Sequence, residues 1–413
     1  MENDENGEPY YTNGVENKTE VIIAFNDFKG VGETQLSFKK GDKINILKKT
    51  TDAWWWAEHD GCYGYVPVNH LKCDKHDLWQ DEEYFGNYSN LKLHHEMLND
   101  RPRTLAYLNA IKRDSEFLSG KVILDVGCGT GILSMMCAKY ARPKKIYAVE
   151  ASDIALHTKE VVELNNMSDV IEVLHGYAED VVIPEKVDLI ISEWMGTMLL
   201  FEMMIESVIN MRDKYLHDDG ILWPSFASLF LVPCSAHAQY SSKVEFWDNQ
   251  FGFDFSCLKL VAKEDLICKP LHDYVLPKED CLSDEWKLFE LDMKTVTVQY
   301  LEEIICDFKF SIKKTGTMHG FCAWFEVGFG TSDPNGEQVL LNTGPLHELT
   351  HWKQDLFLLD TPVEVVQGGT VVGSIVLSRN PEYRRHIRAE FKFMVTSGNE
   401  ICSKHKKKFF IWR

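Results

Sequence analysis

The sequence predicts three folded parts in one chain: a small all-β barrel, a doubly wound α/β domain, and a β-rich domain. Three observations predict this. Between Val21 and Leu71, short β-prone runs alternate with turns. From Val122 to Ile191, four apolar runs are separated by stretches of helical character. Beyond Pro224, period-two alternation replaces the strand–helix rhythm.

With 413 residues the chain holds two or three domains, and 45% hydrophobic content supplies their cores. A net charge of −19 argues against a general nucleic-acid binder and suits a cationic substrate. No direct nucleic-acid binding and no bound metal are expected. The eleven cysteines include no C-x-x-C pair, and no apolar run is long enough to span a bilayer. Reduced thiols in a cytosolic or nuclear protein, with no membrane partner, are therefore expected. The basic stretch Lys404 to Lys408 reads as a solvated end.

Residues 1–19 are polar and acidic without periodicity, so a disordered tail is expected. The barrel follows. Val21 to Phe25, Leu36 to Phe38, Ile44 to Leu47, Trp54 to Glu58 and Gly64 to Leu71 supply short strands. Residues 74–83 are charged and read as a linker. From Tyr84 to Ile111 the apolar spacing is helical, with Asp100 at a helix start and Pro102 in its first turn.

The α/β part begins with the buried strand Val122–Val126, the glycine turn Gly127, Gly129 and Gly131, and a helix over Ile132–Tyr140. Glycines allow close backbone approach to a ligand and dihedrals a side chain forbids. The next strand, Lys145–Val149, ends in Glu150, about twenty residues on, where an acid suits a ribose diol. Ile132 stands where a dinucleotide fingerprint needs a small residue, and Asp125 precedes the turn. An acid there tolerates a cationic ligand, which favours S-adenosyl-L-methionine over a nicotinamide. Strands Ile171–Leu174 and Val187–Ile191 follow, the second running into Ser192-Glu193-Trp194-Met195-Gly196. In the last part, Leu229–Val232, Cys306–Ile312, Phe321–Phe329, Val371–Leu377 and Ala389–Val395 alternate as strands.

Ala24-Phe25-Asn26-Asp27-Phe28, Leu36-Ser37-Phe38 with Gly41-Asp42, Trp54-Trp55 and Gly64-Tyr65-Val66-Pro67 together resemble a Src-homology-3 domain. The resemblance implies an aromatic groove for proline-rich partners, lined by Phe28, Trp54, Pro67 and Asn69. Asn26 and His70 stand where such domains usually carry tyrosine.

Residues 84–413 resemble the protein arginine N-methyltransferases. The matching residues are Tyr84-Phe85-x-x-Tyr88, His94 with Glu96-Met97-Leu98, Asp100, Arg103-Thr104, Leu124 to Gly131, Glu150, Ser192 to Gly196 with Glu202, and Thr350-His351-Trp352. The expected organisation is a tail (1–19), the small barrel (20–73), a linker (74–83), a Rossmann-like S-adenosylmethionine-dependent methyltransferase domain (84–224), and a β-barrel substrate domain (225–413). A helical dimerisation arm at about 236–268 carries the aromatic run Phe246 to Phe255.

By this resemblance Tyr84, His94, Met97, Arg103, Asp125, Gly127, Gly129, Glu150 and Glu179 line the cofactor site, and S-adenosyl-L-homocysteine is the product. Arg103 would meet the methionyl carboxylate, Glu150 the ribose and Glu179 the adenine. Met97 crowds the acceptor site, as in members making asymmetric dimethylarginine (type I). Glu193, Glu202, His351 and Asp100 are the implied catalytic residues. The family acts on arginine-rich proteins, histone tails among them, which implies a role in transcription; the resemblance further implies nucleus and cytoplasm, and the arm-like aromatic run Phe246 to Phe255 implies a homodimer. Thr197 stands where many members carry tyrosine, so a weakly active or inactive adaptor is the alternative.

The two acids have a physical rationale. A guanidinium is protonated at working pH and is a poor nucleophile. Its methyl donor is also a cation. At an effective dielectric of about 20, each carboxylate at ~4 Å attracts a cation by ~4 kcal/mol, against ~3 kcal/mol of mutual repulsion at ~6 Å. A pair of glutamates thus favours a cation between them.

Overall fold

In the computed structural model, residues 20–24, 27–30, 34–51, 54–71, 75–330, 337–397 and 400–412 are described. The expected disordered tail lies outside them. The chain divides into two compact units, Met1–Trp79 and Gln80–Arg413.

In the first unit, β1 (Glu20–Ile23), β2 (Lys43–Lys49), β3 (Trp54–His59) and β4 (Cys62–Pro67) pair in sequence order, antiparallel throughout. Ala24, Leu36, Phe38, Ile44, Ile46, Trp55, Ala57, Val66 and Leu71 form its core. The run expected to continue as strand to Leu71 instead closes with a helical turn, α1 (Val68–Leu71). The stretch read as a linker from its charge is helical from Lys75, in α2 (Lys75–Tyr88).

The second unit begins within α2, at Gln80, and continues with α3 (Leu91–Asn99), α4 (Arg101–Arg113) and the short α5 (Ser115–Leu118). Asp100 caps α4, its side chain accepting the N–H of Arg103, with proline in the first turn as expected. Next come β5 (Val122–Val126), α6 (Ile132–Ala141), β6 (Lys145–Glu150), α7 (Ile154–Leu164), β7 (Ile171–His175), β8 (Val187–Ile191), α8 (Ile205–Tyr215) and β9 (Leu216–Trp223). Among the described residues these strands form a parallel sheet in the order β7-β6-β5-β8-β9. All five residues of β5 are buried, as a central parallel strand requires. β9 escaped the sequence reading because Asp218, Asp219 and Gly220 interrupt its apolar pattern.

The C-terminal part contains β10 (Phe226–Cys234), α9 (His237–Lys243), α10 (Lys259–Leu266), β11 (Leu271–Tyr274), β12 (Trp286–Asp292), α11 (Val298–Glu302), β13 (Glu303–Ser311), β14 (Gly316–Phe329), β15 (Val339–Asn342), β16 (Gln354–Val365), β17 (Thr370–Arg379), β18 (Ile387–Ser397) and β19 (Glu400–Ile411). Two sheets, β11-β16-β14-β10-β12 and β13-β17-β18-β19, build a barrel around Phe308, Phe310, Phe321, Phe391 and Phe393. Phe321 stacks on Phe391 with ring centroids 5.1 Å apart. The basic stretch read as a solvated end is exposed at Lys404, Lys406 and Lys408, but it is regular strand and not a loose tail. It lies in edge strand β19, where Lys406 and Lys408 reach Glu390 on β18 while Lys407 pairs with Asp360. Alternation puts the lysines on both faces, and edge lysines discourage pairing with another chain.

Candidate active site

The site sits at the carboxyl ends of β5, β6 and β8, where ligands bind in open α/β sheets. Gly127 and Gly129 follow β5 with φ of 70° and 52°. A Cβ on Gly127 would lie 2.1 Å from the Met204 side chain, and one on Gly129 would crowd His94 at 3.2 Å. The turn therefore needs glycine both for its dihedrals and for its space.

Glu150 ends β6 and is 7% exposed. Its Oε2 accepts from the Gly129 N–H at 2.9 Å, and its Oε1 from Ser152 N and Oγ at 2.8 and 2.7 Å. The carboxylate thereby ties the glycine turn to the start of α7. Asp125 is fully buried, and Ser134 Oγ donates to its Oδ2 at 2.6 Å. Its Oδ1 has no hydrogen-bond partner among the described residues. Burial, only partly opposed by the bonds from Ser134, raises its carboxyl to about 7. An orphaned buried acceptor, an acid at the strand end and a glycine cradle fit an adenosine carrying a cationic group.

Glu193 follows β8. Arg103 Nε donates to it at 3.0 Å, and the two side chains are only 6% and 7% exposed. Arg103 Nη1 donates to Met97 O at 3.3 Å. Tyr107 OH donates to Ser192 O at 2.8 Å, and Ser192 Oγ to Val126 O at 2.7 Å, fixing the base of the acidic loop. Removing one partner of such a buried pair costs about 3–5 kcal/mol, because the other charge is left uncompensated.

The loop after Glu193 is held tightly. A Cβ on Gly196 would come 2.1 Å from Phe201 O. Trp352 Nε1 donates to Met195 O at 2.9 Å, and the Met198 N–H donates to Asp355 Oδ2 at 3.1 Å. Met198, Leu199, Glu202 and Met203 all adopt positive φ, so packing from the barrel enforces the loop's shape. The Glu202 N–H donates to Arg385 O at 2.9 Å, and Arg385 Nη1 returns a bond to Glu202 O at 2.8 Å. Tyr88 OH donates to Glu202 Oε2 at 2.9 Å.

Tyr84 packs on Tyr88 with centroids 5.0 Å apart, and the Arg385 guanidinium lies 4.0 Å over the Tyr84 ring. Burial first, and then the charge of Glu202, push both tyrosine hydroxyls well above their ordinary range. Both stay protonated. His94 Nε2 lies 2.7 Å from Tyr88 O. His351 Nδ1 lies 2.6 Å from Asp100 Oδ2, and its ring sits 3.9 Å from that of Trp352.

The contacts form two groups: Tyr84, Tyr88, His94 and Glu202, joined through Ser152 Oγ to Glu150 and Gly129, and Met97, Asp100, Arg103, Glu193 and His351. Glu179 Oε1 accepts from Ser207 Oγ on α8 at 2.7 Å. The sequence reading missed the partner roles of Tyr88 and Arg385 and the anchors Trp352 and Asp355. Tyr84 and Tyr88 are four apart on one helix face, a signal available in the sequence. Arg385 has no such signal.

In the first unit, Phe28 meets Trp54 at 5.9 Å and His70 at 5.1 Å, and Trp54 stands opposite Pro67 across the ladder. Trp55 is buried. The side chain of Asn69 lies outside the described residues, as does Asn26.

Residues 225–398 match the arginine methyltransferase oligomerization subdomain, residues 23–68 the SH3 domain, and residues 102–222 the ribosomal protein L11 methyltransferase family. Protein arginine N-methyltransferase 2 of Homo sapiens is 50% identical over 95% of this chain and 93% of its own length. The chain belongs to the protein arginine N-methyltransferase family. The Xenopus laevis protein of the same name is 47% identical over 95% of this chain and 92% of its own. Among solved family structures, the Trypanosoma brucei PRMT1 enzyme–prozyme heterotetrameric complex with AdoHcy has a TM-score of 0.73 at 31% identity, covering 79% of this chain and 99% of that one. Arabidopsis thaliana protein arginine methyltransferase 10 has a TM-score of 0.71 at 32% identity, covering 80% and 100%. An SH3 domain, a methyltransferase domain and the family's C-terminal barrel therefore follow one another in this family member.

Proposed function

We propose that the chain transfers methyl groups to arginine side chains of arginine-rich proteins, histone tails among them, making monomethyl- and asymmetric dimethylarginine. The cofactor is S-adenosylmethionine, and it supplies an electrophilic sulfonium methyl when bound. Glu150 would hold the ribose hydroxyls, Arg103 the methionyl carboxylate, and Asp125 an edge of the ligand beneath the glycine turn. Arg103 suits this role because it is already aimed into the site by Met97 O and Glu193.

The observation that carries the reading is the pair of acids on one constrained loop, Glu193 gripped by Arg103 and Glu202 by Tyr88. These acids hold the substrate guanidinium and draw its positive charge away from the nitrogen that accepts the methyl. The proton released from that nitrogen passes to Glu193 or to His351, which Asp100 orients. Fixing the nitrogen in line supplies much of the remaining rate. Half-buried Met97 narrows the acceptor side, which supports the asymmetric product.

A homodimer is part of the proposal, as are action in nucleus and cytoplasm and a role in transcription. Phe251 is 99% and Phe253 69% exposed in the segment between α9 and α10, a density that marks an interface. The first unit supplies a groove for proline-rich partners. The competing reading is a weakly active or inactive adaptor, favoured by Thr197 in the acidic loop. Incubation with labelled S-adenosylmethionine and arginine-rich peptides, followed by separation of methylarginine isomers, tests this. Asymmetric dimethylarginine supports type I activity, the symmetric isomer refutes it, and no label on any peptide favours the adaptor.

A further inference from the structure

We propose that Cys234 and Cys281 form an oxidisable pair whose disulfide clasps the base of the segment between them. Cys234 ends β10, and Cys281 follows a short turn at Lys278–Asp280. The two stand opposite each other in an isolated antiparallel bridge. The Ser235 N–H donates to Asp280 O at 2.8 Å and the Leu282 N–H to Pro233 O at 3.0 Å. These bonds flank the cysteines, so the cysteines are a non-hydrogen-bonded pair. Cα atoms in such a pair lie about 4.5 Å apart with side chains close together. That separation falls within the roughly 4.4–6.8 Å that a disulfide spans.

Both thiols are free and face one apolar cluster, Cys234 within it and Cys281 packed against it. Cys322 belongs to the same cluster but is a worse partner. It stands opposite Val232 on β10, while Cys234 stands opposite Gly320. Such diagonal neighbours are about 7–8 Å apart. Among the described residues no group of three His, Cys, Asp or Glu side chains suits a metal ion. The pair is therefore read as redox chemistry and not as ligation.

The oxidant is a hydroperoxide. It converts the half-buried Cys281 thiol to a sulfenic acid and is itself reduced, with water released when hydrogen peroxide is used. The Cys234 sulfur then attacks the Cys281 sulfur. The S–S bond forms, the S–O bond breaks, and hydroxide leaves with the Cys234 thiol proton as a second water. Two thiols are oxidised and one peroxide is reduced. Burial pushes both thiols up, which keeps thiolate scarce and makes the pair answer sustained oxidant in preference to a brief pulse.

The closed loop encloses α9, α10 and the exposed aromatics Phe246, Phe251 and Phe253. A crosslink at its base limits how far this segment moves when the surrounding sheet opens. The inference does not rest on methyl transfer, and its test reads thiols instead of turnover.

The full-length protein is treated with hydrogen peroxide, its remaining thiols are alkylated, and unreduced peptides are mapped by mass spectrometry. The expected product is a linked Cys234–Cys281 peptide, lighter by two hydrogens, lost on dithiothreitol treatment and absent in Cys281→Ser. Oxidised wild type should also melt at higher temperature than reduced protein, with no such difference in the variant. Alkylation of both cysteines after prolonged oxidant, well beyond the dose that consumes the exposed Cys62, Cys257 and Cys402, would overturn the proposal. So would recovery of Cys234 linked to Cys322. If Cys281→Ser does not fold, Cys281→Ala replaces it, and the wild-type peptide map decides alone.

Discussion

Asp100 Oδ2 receives both the backbone N–H of His351 at 2.8 Å and its ring Nδ1 at 2.6 Å, while Oδ1 caps α4 through Arg103. One carboxylate therefore fixes the helix that carries Arg103 and the loop that carries His351. Burial alone would raise its pKa, but the bonds from His351 and Arg103 together outweigh burial and hold it below its ordinary value of 3.8. A depressed acid contributes stability that is present above 3.8 and lost as pH falls through the folded value. Asp100→Asn should cost about 1–3 kcal/mol at pH 7. The gap to wild type should narrow in acid. Urea denaturation at neutral and acidic pH checks this, and a gap unchanged by pH would contradict it.

Glu193→Gln should reduce methyl transfer at least ~100-fold, the scale of losing one charge-stabilising group. Binding of S-adenosylhomocysteine should change little, since the amide can still accept from Arg103. Glu150→Ala should act in the opposite order, weakening cofactor binding first and loosening the bonds to Gly129 and Ser152. Calorimetry paired with turnover separates the two. Near-normal turnover in the first variant, or unaltered affinity in the second, would refute the respective role.

Asp125 gives the opposite pH sign. Burial raises its carboxyl to about 7. Its stabilising contribution is complete below the unfolded value and falls away as pH rises through about 7. Asp125→Asn should therefore show a flatter stability curve from pH 5 to pH 8 than wild type, by the same linkage. Parallel curves from thermal melts would show that Asp125 does not titrate there.

Deleting residues 240–258 should yield monomers that have lost activity, because it removes the exposed Phe246, Phe251, Phe253 and Phe255 on which the proposed dimer rests. Sedimentation velocity and turnover measured on the same preparation decide. A dimeric, active deletion would place the interface elsewhere.

Trp54→Ala in the full chain should abolish capture on a proline-peptide array while leaving S-adenosylmethionine binding intact. Trp54 lies against Phe28 and opposite Pro67, so its loss removes a groove wall and leaves the core built on Trp55. Equal capture by both proteins, or by neither, would mean that this groove is not a polyproline site. A fragment of residues 80–413 should still bind the cofactor, since those residues form one compact unit.

Local physics made much of this chain readable in advance. β5 and β8 have the bounds read from their apolar runs, because a strand buried on both faces must be continuously apolar. The cap at Asp100, the glycine turn and the acid ending β6 were legible because each depends on residues near in sequence. β19 was not, since its lysines imitate a solvated tail until β18 is beside them. The site divides in the same way. Its motifs were legible as a family resemblance, and it is that resemblance, not spacing alone, that implied roles for Glu193, Glu202, Asp100 and His351. Only the tertiary structure decided that Arg103 pairs with Glu193, that Tyr88 reaches Glu202, and that Arg385, remote in sequence, clamps the same loop. Periodicity and turn chemistry are properties of neighbouring residues. Contacts that close an active site depend on where the folded sheets bring distant segments, and no local pattern carries that information.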